Sequence, residues 1–315
     1  MEMISRCCPL CGSSDTSQVF AEADFEPERL DRFAFASRKM PEYMHYRLIG
    51  CPTCDLLYAN PLPREDYLAE GYGEAAYDSS VEAHYAAVTY AATLSRFIGR
   101  LPDRHGALDI GTGDGAFLEC LLDLCFDGVA GVEPSRAPIA AARADIRPLI
   151  REGIFRDGDF TPASFSLVTC FQTLEHLGDP LEAARAVQKL LKPGGAAYFI
   201  CHNRRALSAR LLGKKSPIFD IEHLQLFSPQ SARYLLERTG FTDVAVMEIV
   251  NRYPLRYWIR MLPLPQAAKR LLIATLDRMG AGTLPLSIPV GNLAVVGFKP
   301  GQGGASPDSR LGTMP

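Results

Sequence analysis

The run Ala107-Leu-Asp-Ile-Gly-Thr-Gly-Asp-Gly115 constrains the fold more than any other stretch of the chain. Three glycines at alternate positions follow a short apolar segment and precede a helical one. That pattern demands a tight strand-to-helix turn whose backbone a ligand can approach. The flanking sequence repeats the alternation. Apolar spacing predicts strands at Ala107–Ile110, Gly128–Val132, Pro148–Ile150, Phe165–Phe171, Ala196–Cys201, Val244–Val250 and Leu293–Phe298. It predicts helices at Gly115–Cys125, Ser135–Ala144, Asp179–Leu191 and Pro229–Thr239, the third closed by Lys192, Pro193, Gly194 and Gly195. An alanine-rich helical period also runs from about Val81 to Leu101. Such alternation implies right-handed crossovers and a parallel sheet covered on both faces, an α/β doubly wound fold. Residues from about Tyr253 to Pro289 form a helical insertion before the last strand.

A Gly-x-Gly-x-Gly turn alone also serves dinucleotides, and charge separates the two ligand classes. Asp109 leads into the loop and Asp114 stands at the helix start, where a pyrophosphate would need a positive cradle. Two carboxylates repel a diphosphate and suit a cationic ligand. Glu133 ends the next strand, 20 residues beyond Gly113, where a carboxylate can take both hydroxyls of a ribose. A cationic amino-acid end plus a ribose diol fits S-adenosylmethionine better than NAD. A plain strand–helix turn would not need both acids.

The nine cysteines fall into two groups. Cys8 and Cys11 in CPLCG, and Cys51 and Cys54 in CPTCD, form two Cys-x-x-Cys turns, each supplying half of a tetrahedral site. Four soft thiolates favour zinc, and a closed four-thiolate site has no open position for chemistry, so its work is to fold a small domain. Adventitious pairing and a redox dithiol are the other readings of this spacing. Cys7, Cys120, Cys125, Cys170 and Cys201 stand alone as small hydrophobes. The odd, scattered set argues against a disulfide framework.

In the order ALDIGTGDG, GVEPS, FSLVTCFQTLEHLGDP and LLKPGG, residues from about 80 to 300 resemble a class I S-adenosylmethionine-dependent methyltransferase. CPxCG…CxxC, ANPLP and the tyrosines Tyr67, Tyr72 and Tyr77 ahead of that region are similar to bacterial sugar and natural-product methyltransferases with an N-terminal zinc-binding domain. The resemblance implies a seven-stranded sheet whose last strand is antiparallel, matched by GNLAVVGFKP. It implies Asp109, Gly111, Gly113, Asp114 and Gly115 around the methionine end of the cofactor and Glu133 on its ribose. Gly153 and Ile154 would lie near the adenine, and Phe171 and Gln172 near the reacting methyl. The expected division is a zinc-ribbon-like domain at 1–62, helical segments at 63–100, a cofactor-binding domain at 101–300 with a lid at about 253–289, and a disordered Gly/Ser/Pro-rich tail at 301–315. The sugar C-methyltransferases carry a large extra C-terminal domain, and this sequence departs from them there.

Methyl transfer to a hydroxyl or carbon acid needs alignment and a base. Glu175-His176 follows the fourth strand and Glu222-His223 the fifth, both past carboxyl ends of strands, where open α/β sheets bind ligands. His223, His176 and Glu222 are therefore the catalytic candidates. The alternative is that each histidine caps or packs its loop. Gln172, Glu175, His176 and His223 also resemble the Glu-x-x-Glu-His…His divalent-metal site of plant-type small-RNA 3′-end methyltransferases, and related acidic sites occur in ubiquinone-pathway O-methyltransferases. Gln172 is a neutral, weaker ligand for a hard cation, which disfavours magnesium or manganese here.

Composition bounds the partners. At 315 residues and 47% hydrophobic the chain can bury a sizeable core, and its net charge of −3 gives no global basic field for nucleic acid. No apolar run approaches the ~18 residues of a membrane span, and the start lacks a signal peptide's long apolar stretch, so the expected location is cytoplasmic. Two segments depart from the acidic balance. Asn203–Lys215 carries Arg204, Arg205, Arg210, Lys214 and Lys215 with no acid; Arg252–Arg278 carries six basic residues against Asp277. These point to an anionic small-molecule acceptor, such as a nucleotide- or lipid-linked sugar, and to peripheral membrane contact through 253–278. A solvated basic face is the bland alternative. The expected activity is S-adenosylmethionine-dependent methylation of a hydroxyl or carbon of a sugar or secondary metabolite. The alternatives are an RNA methyltransferase gripping with the zinc ribbon, and a non-catalytic cofactor-binding platform for partners. The sequence leaves the acceptor atom and the oligomeric state open.

Overall fold

The computed structural model describes residues 2–26, 43–64, 80–262 and 264–301. Tyr67, Tyr72, Tyr77 and the tail from residue 302 lie outside them. The cysteine-bearing segments contribute five short strands: β1 (Met3–Ile4), β2 (Val19–Ala21), β3 (Leu48–Gly50), β4 (Leu57–Ala59) and β5 (Leu62–Pro63). Next come α1 (Ser80–Leu94), β6 (His105–Ile110), α2 (Ala116–Asp123), β7 (Asp127–Glu133), α3 (Arg136–Ala141), β8 (Ile150–Glu152), β9 (Phe165–Phe171), α4 (Pro180–Leu190) and β10 (Leu191–His202). The order ends with α5 (Leu207–Leu212), β11 (Gln225–Leu226), α6 (Pro229–Arg238), β12 (Thr242–Pro254), α7 (Leu255–Met261), α8 (Gln266–Arg278) and β13 (Pro285–Phe298).

Seven strands form one sheet in the order β12-β13-β10-β9-β6-β7-β8. The five from β10 to β8 are parallel, and β13 runs antiparallel to both β10 and β12. This is the class I methyltransferase sheet, with α7 and α8 inserted before its last strand. The chain winds outward from β6 through β7 to β8 and returns at β9, so the β6/β9 boundary is the switch point where such sheets hold ligands. The central strands are apolar on both faces because both are covered: Ala196–Cys201 of β10 is buried throughout. Neighbouring residues on β10 point to opposite sides. Tyr198 packs with Tyr90, Leu94, Phe117 and Leu121 of α1 and α2. Phe199 packs with Val187, Leu190, Leu235 and Leu236 of α4 and α6, and Cys8, Cys51 and Cys54 belong to that same core.

Local chemistry sets the element ends. Asp179 caps α4 by accepting the Glu182 N–H, and Ser228 and Ser231 form a reciprocal capping box on α6. Several boundaries differ from the sequence expectation, and three have a local cause or consequence. The third strand runs over Ile150–Glu152 instead of Pro148–Ile150, because Pro148 has no N–H for a ladder and Arg147–Leu149 forms a helical turn. The helix expected at Ser135–Ala144 ends at Ala141. The last strand starts at Pro285 because β12 continues to Pro254 and the two extend past the sheet as a hairpin, with Tyr253 opposite Leu286.

A second, four-stranded sheet has the order β11-β4-β3-β2. Its β11, from residues 225–226, pairs antiparallel with β4, so the cysteine-bearing sheet contains a strand from far down the chain. A third apolar core joins Met44, Tyr46, Leu48 and Leu57 to Ile218, Phe219, Ile221 and Leu224. Among the described residues no helix is long and apolar enough to cross a membrane.

Candidate active site

The glycine turn closes β6 and opens α2. Gly111 has φ +74°, and a Cβ there would collide with Thr173, so the turn lies against the loop after β9. At Gly113, φ +60°, a Cβ would meet nothing within 4 Å: the middle of the turn is bare backbone on an open side. The Glu133 carboxylate braces this turn. Its Oε2 accepts the Gly113 N–H and its Oε1 the Ser135 N–H, both at 2.9 Å. Burial pushes the Glu133 carboxyl up, and these two N–H donors oppose that shift. Gly153 donates its N–H to the Glu133 carbonyl at 2.9 Å, and a cleft of ≈ 340 Å³ lined by Val132, Gly153 and Ile154 among others adjoins that strand end.

The sequence places Asp109 and Asp114 in one cradle; the structure gives them different surroundings. Asp109 is buried beneath the turn, where its Oδ1 accepts the Thr169 hydroxyl at 2.6 Å, and burial raises its carboxyl to about 7. Asp114 is half-buried at the head of α2 and accepts the Ala116 N–H at 3.3 Å. Phe171 ends β9 with its ring edge-on to Phe117, Tyr90 and Tyr198 at 4.6, 4.8 and 4.9 Å. Gln172 follows with φ +50°, its N–H bound to the Ile200 carbonyl. A half-buried glycine with open space beside it, a carboxylate at the end of β7 and an adjoining cleft fit a ligand with an amino-acid end and a nucleoside.

His176, Glu222 and His223 converge past the ends of β9 and β10. Their donor atoms lie within 4.8 Å of one another, with Glu222 3.8 Å from His176 Nδ1 and 3.9 Å from His223 Nε2. His223 is buried, and its Nδ1 lies 2.8 Å from the Ile218 carbonyl. A carbonyl only accepts, so Nδ1 carries a proton; in the neutral ring Nε2, on the Glu222 side, is then the nitrogen with the free lone pair. The sequence reading missed His202. It ends β10, its ring centroid is 5.0 Å from that of His223, and its Nδ1 is 2.9 Å from Asn292 Oδ1. The signal was its place at the carboxyl end of the fifth strand. Glu175 is not in this group: it is buried, accepts the His202 N–H at 2.6 Å, and burial raises its carboxyl to about 8. Glu222 stands beside the two imidazoles in its place.

The four paired cysteines also meet. Cys8 and Cys54 sulfurs are 3.5 Å apart and Cys11 and Cys51 3.4 Å, with all four within 4.8 Å. Metal–sulfur bonds of ~2.3 Å in a tetrahedron separate sulfurs by about 3.8 Å, so the set fits a thiophilic cation. The thiols resist shared ionisation. A hydrogen bond from Cys54 holds Cys8 at about 5, the same bond drives Cys54 far up, and burial raises Cys11 to about 11. A cation would supply the missing positive charge.

Much of the sequence's basic excess is already paired. Arg204 and Arg205 both bind Asp55; Arg260 binds Glu82 at 2.5 Å; Lys269 is buried and donates to the Arg260 carbonyl at 2.8 Å. Arg210, Lys214, Lys215, Arg270 and Arg278 are exposed. They stand among exposed apolar side chains: Leu207, Leu211, Leu271 and Met279.

A methyltransferase domain family matches residues 83–246, just over half of the chain. The ubiquinone biosynthesis O-methyltransferase of Pseudomonas aeruginosa (strain UCBPP-PA14) is 34% identical over 106 residues, 31% of this chain and 44% of that protein. Its namesake from Aliivibrio fischeri (strain MJ11) is 27% identical over 149 residues, 43% of this chain and 63% of that one. The chain thus spans less than two thirds of these relatives' length. A solved S-adenosylmethionine-dependent methyltransferase from Archaeoglobus fulgidus aligns over 75% of this chain and 100% of its own, at 17% identity and a TM-score of 0.47. The matched segment carries the glycine turn, Glu133, His176 and His223, and the chain belongs to the methyltransferase domain family.

Proposed function

We propose that this chain is an S-adenosylmethionine-dependent methyltransferase acting on a hydroxyl of a small molecule, with His223 as the base. The observation that carries this reading is the seating of His223: its Nδ1 lies 2.8 Å from the Ile218 carbonyl, which leaves Nε2 on the Glu222 side to act as the base of the neutral ring. The cofactor, when bound, supplies the electrophilic methyl. Glu133 and the bare backbone of Gly113 would hold its nucleoside and amino-acid parts, and Gly153 and Ile154 would serve the adenine. Nε2 of His223 accepts the hydroxyl proton, and Glu222, between the two imidazoles, stabilises the imidazolium formed. His176 and His202 orient the acceptor. The relatives named for ubiquinone biosynthesis O-methylation support an oxygen acceptor. A sugar or secondary metabolite, nucleotide- or lipid-linked, is the class that suits the exposed basic residues.

The cysteine set is read as a structural zinc site, and nine free cysteines suit a reducing cytoplasm. The exposed leucines of α8, flanked by Arg270 and Arg278, support peripheral contact with an anionic membrane. A second reading is favoured by the ligand-like spacing of His176, Glu222 and His223: a divalent cation held there, binding the acceptor oxygen. Protein incubated with methyl-labelled cofactor and fractionated cell extract tests the main reading. Label in small molecules is expected, and label in RNA overturns it. An unchanged rate after chelation supports the base, and a rate lost to chelator and restored by magnesium or manganese supports the cation.

A further inference from the structure

We propose that the four-cysteine module positions the histidine cluster, with Arg6 and Asp55 as its positioning residues. Each of the three histidines lies one or two residues from a bond to that module. The Arg6 guanidinium, two residues before Cys8, donates to the Gly178 carbonyl at 2.8 Å, two residues after His176. It donates to the Leu224 carbonyl at 2.8 Å, next to His223, and to Gln225 Oε1 at 3.1 Å. Its Nε donates to the Ala59 carbonyl of β4 at 3.1 Å. The Leu224 carbonyl also accepts the Ala59 N–H at 2.8 Å, and β11 then pairs with β4. On the other side Asp55, directly after Cys54, binds Arg204 at 2.6 Å and Arg205, two and three residues after His202.

These are the bonds that locate otherwise irregular chain. The segment from Gln172 to Asp179 and that from Ser216 to Leu224 have no regular ladder of their own, and their buried carbonyls need donors. Arg6 supplies several from one rigid fork, which a lysine cannot copy. Gln225 then spreads the tie, with its Nε2 on the Leu174 and Leu177 carbonyls at 2.6 and 2.8 Å. The glycine turn is held differently, by the Val132 carbonyl and Glu133. Disturbing the module should therefore loosen the acceptor half of the site and spare the nucleoside half. The claim concerns placement and stands whether or not His223 proves to be the base.

The experiment compares zinc-loaded full-length wild type with Arg6→Ala, Arg6→Lys, Asp55→Asn and Cys51→Ser. Hydrogen exchange is followed over 172–178 and 216–226 against 109–116, with histidine ring resonances and calorimetry of S-adenosylhomocysteine. Arg6→Ala is expected to speed exchange in the first two segments about tenfold or more, shift the histidine resonances, and keep cofactor-product affinity within about twofold. Arg6→Lys should fall between it and wild type, and Cys51→Ser should show the same pattern reversed by nothing but the restored cysteine. Where Cys51→Ser does not fold, Asp55→Asn tests the second tie through the same segments and His202. Unchanged exchange and resonances in Arg6→Ala and Asp55→Asn overturn the proposal, as does a loss of S-adenosylhomocysteine affinity as large as the change in exchange. Failure of the base reading shows separately, as unaltered turnover in His223→Ala.

Discussion

Glu133 holds Gly113: the carboxylate at the end of β7 accepts the N–H of the middle glycine in the turn after β6. One residue thus shapes the turn and presents a carboxylate beside it. Glu133→Ala is expected to weaken S-adenosylhomocysteine binding by about 1–3 kcal/mol, the scale of hydrogen bonds to a charged acceptor. Glu133→Gln should also lose affinity, because an amide N–H₂ would face one of the two backbone N–H groups. Calorimetry decides it, and wild-type affinity in both variants means the ribose is held elsewhere.

His223→Ala should lower turnover by about 10²–10⁴-fold with S-adenosylhomocysteine affinity retained, as expected where a base acts on the acceptor. Measured at saturating cofactor, equal losses in affinity and rate would make His223 a structural residue.

Zinc-loaded protein is expected to hold about one zinc per chain at Cys8, Cys11, Cys51 and Cys54. Elemental analysis of protein purified without chelator checks this. Cys51→Ser should lose most of the metal, and an unchanged zinc content would place the ion elsewhere.

The helical insertion of α7 and α8 carries a separate prediction about surfaces. Lys269 is the buried residue of α8, while Leu271 is 69% exposed and Met279, just past its end, 72%. Vesicles containing phosphatidylglycerol should sediment the protein, and neutral phosphatidylcholine vesicles should not. Leu271→Asp or Arg270→Ala/Arg278→Ala should release it, the second pair with reduced salt sensitivity. Equal binding to both lipids, or none, would leave this face of α8 simply solvated.

Glu175 gives a pH dependence. Burial lifts its carboxyl from 4.5 to about 8, with the His202 N–H acting the other way. The folded state therefore keeps a proton that the unfolded chain releases. The stabilisation is full below the unfolded value and is lost as pH rises toward about 8. Asp109, raised to about 7, adds in the same direction. The denaturation midpoint of wild type should fall between about pH 5 and 8. Glu175→Gln should flatten that fall, and an equally steep fall in the variant would assign it to other groups.

Local pattern was enough for much of this protein. The spacing of apolar residues reports which faces of each strand and helix are buried, so the parallel sheet, its glycine turn and the helical insertion could be read directly from residues 107–298. Glycines with positive φ and paired Cys-x-x-Cys turns are likewise demands of the local backbone, visible wherever they occur. The histidine cluster was only half visible. His176 and His223 stood out beside their glutamates, but neighbours in sequence need not be neighbours in space: Glu175 turns inward to the His202 N–H, and Glu222 lies beside both imidazoles. Charge counts misled for the same reason, since Asp55 lies about 150 residues from the arginines it neutralises. Nothing periodic marks a two-residue strand such as β11 or a guanidinium that bonds three separate segments. Pairing of that kind has no signature along the chain because its partners are brought together only when the sheet and the cysteine module have packed, and it is that packing which set the three histidines side by side.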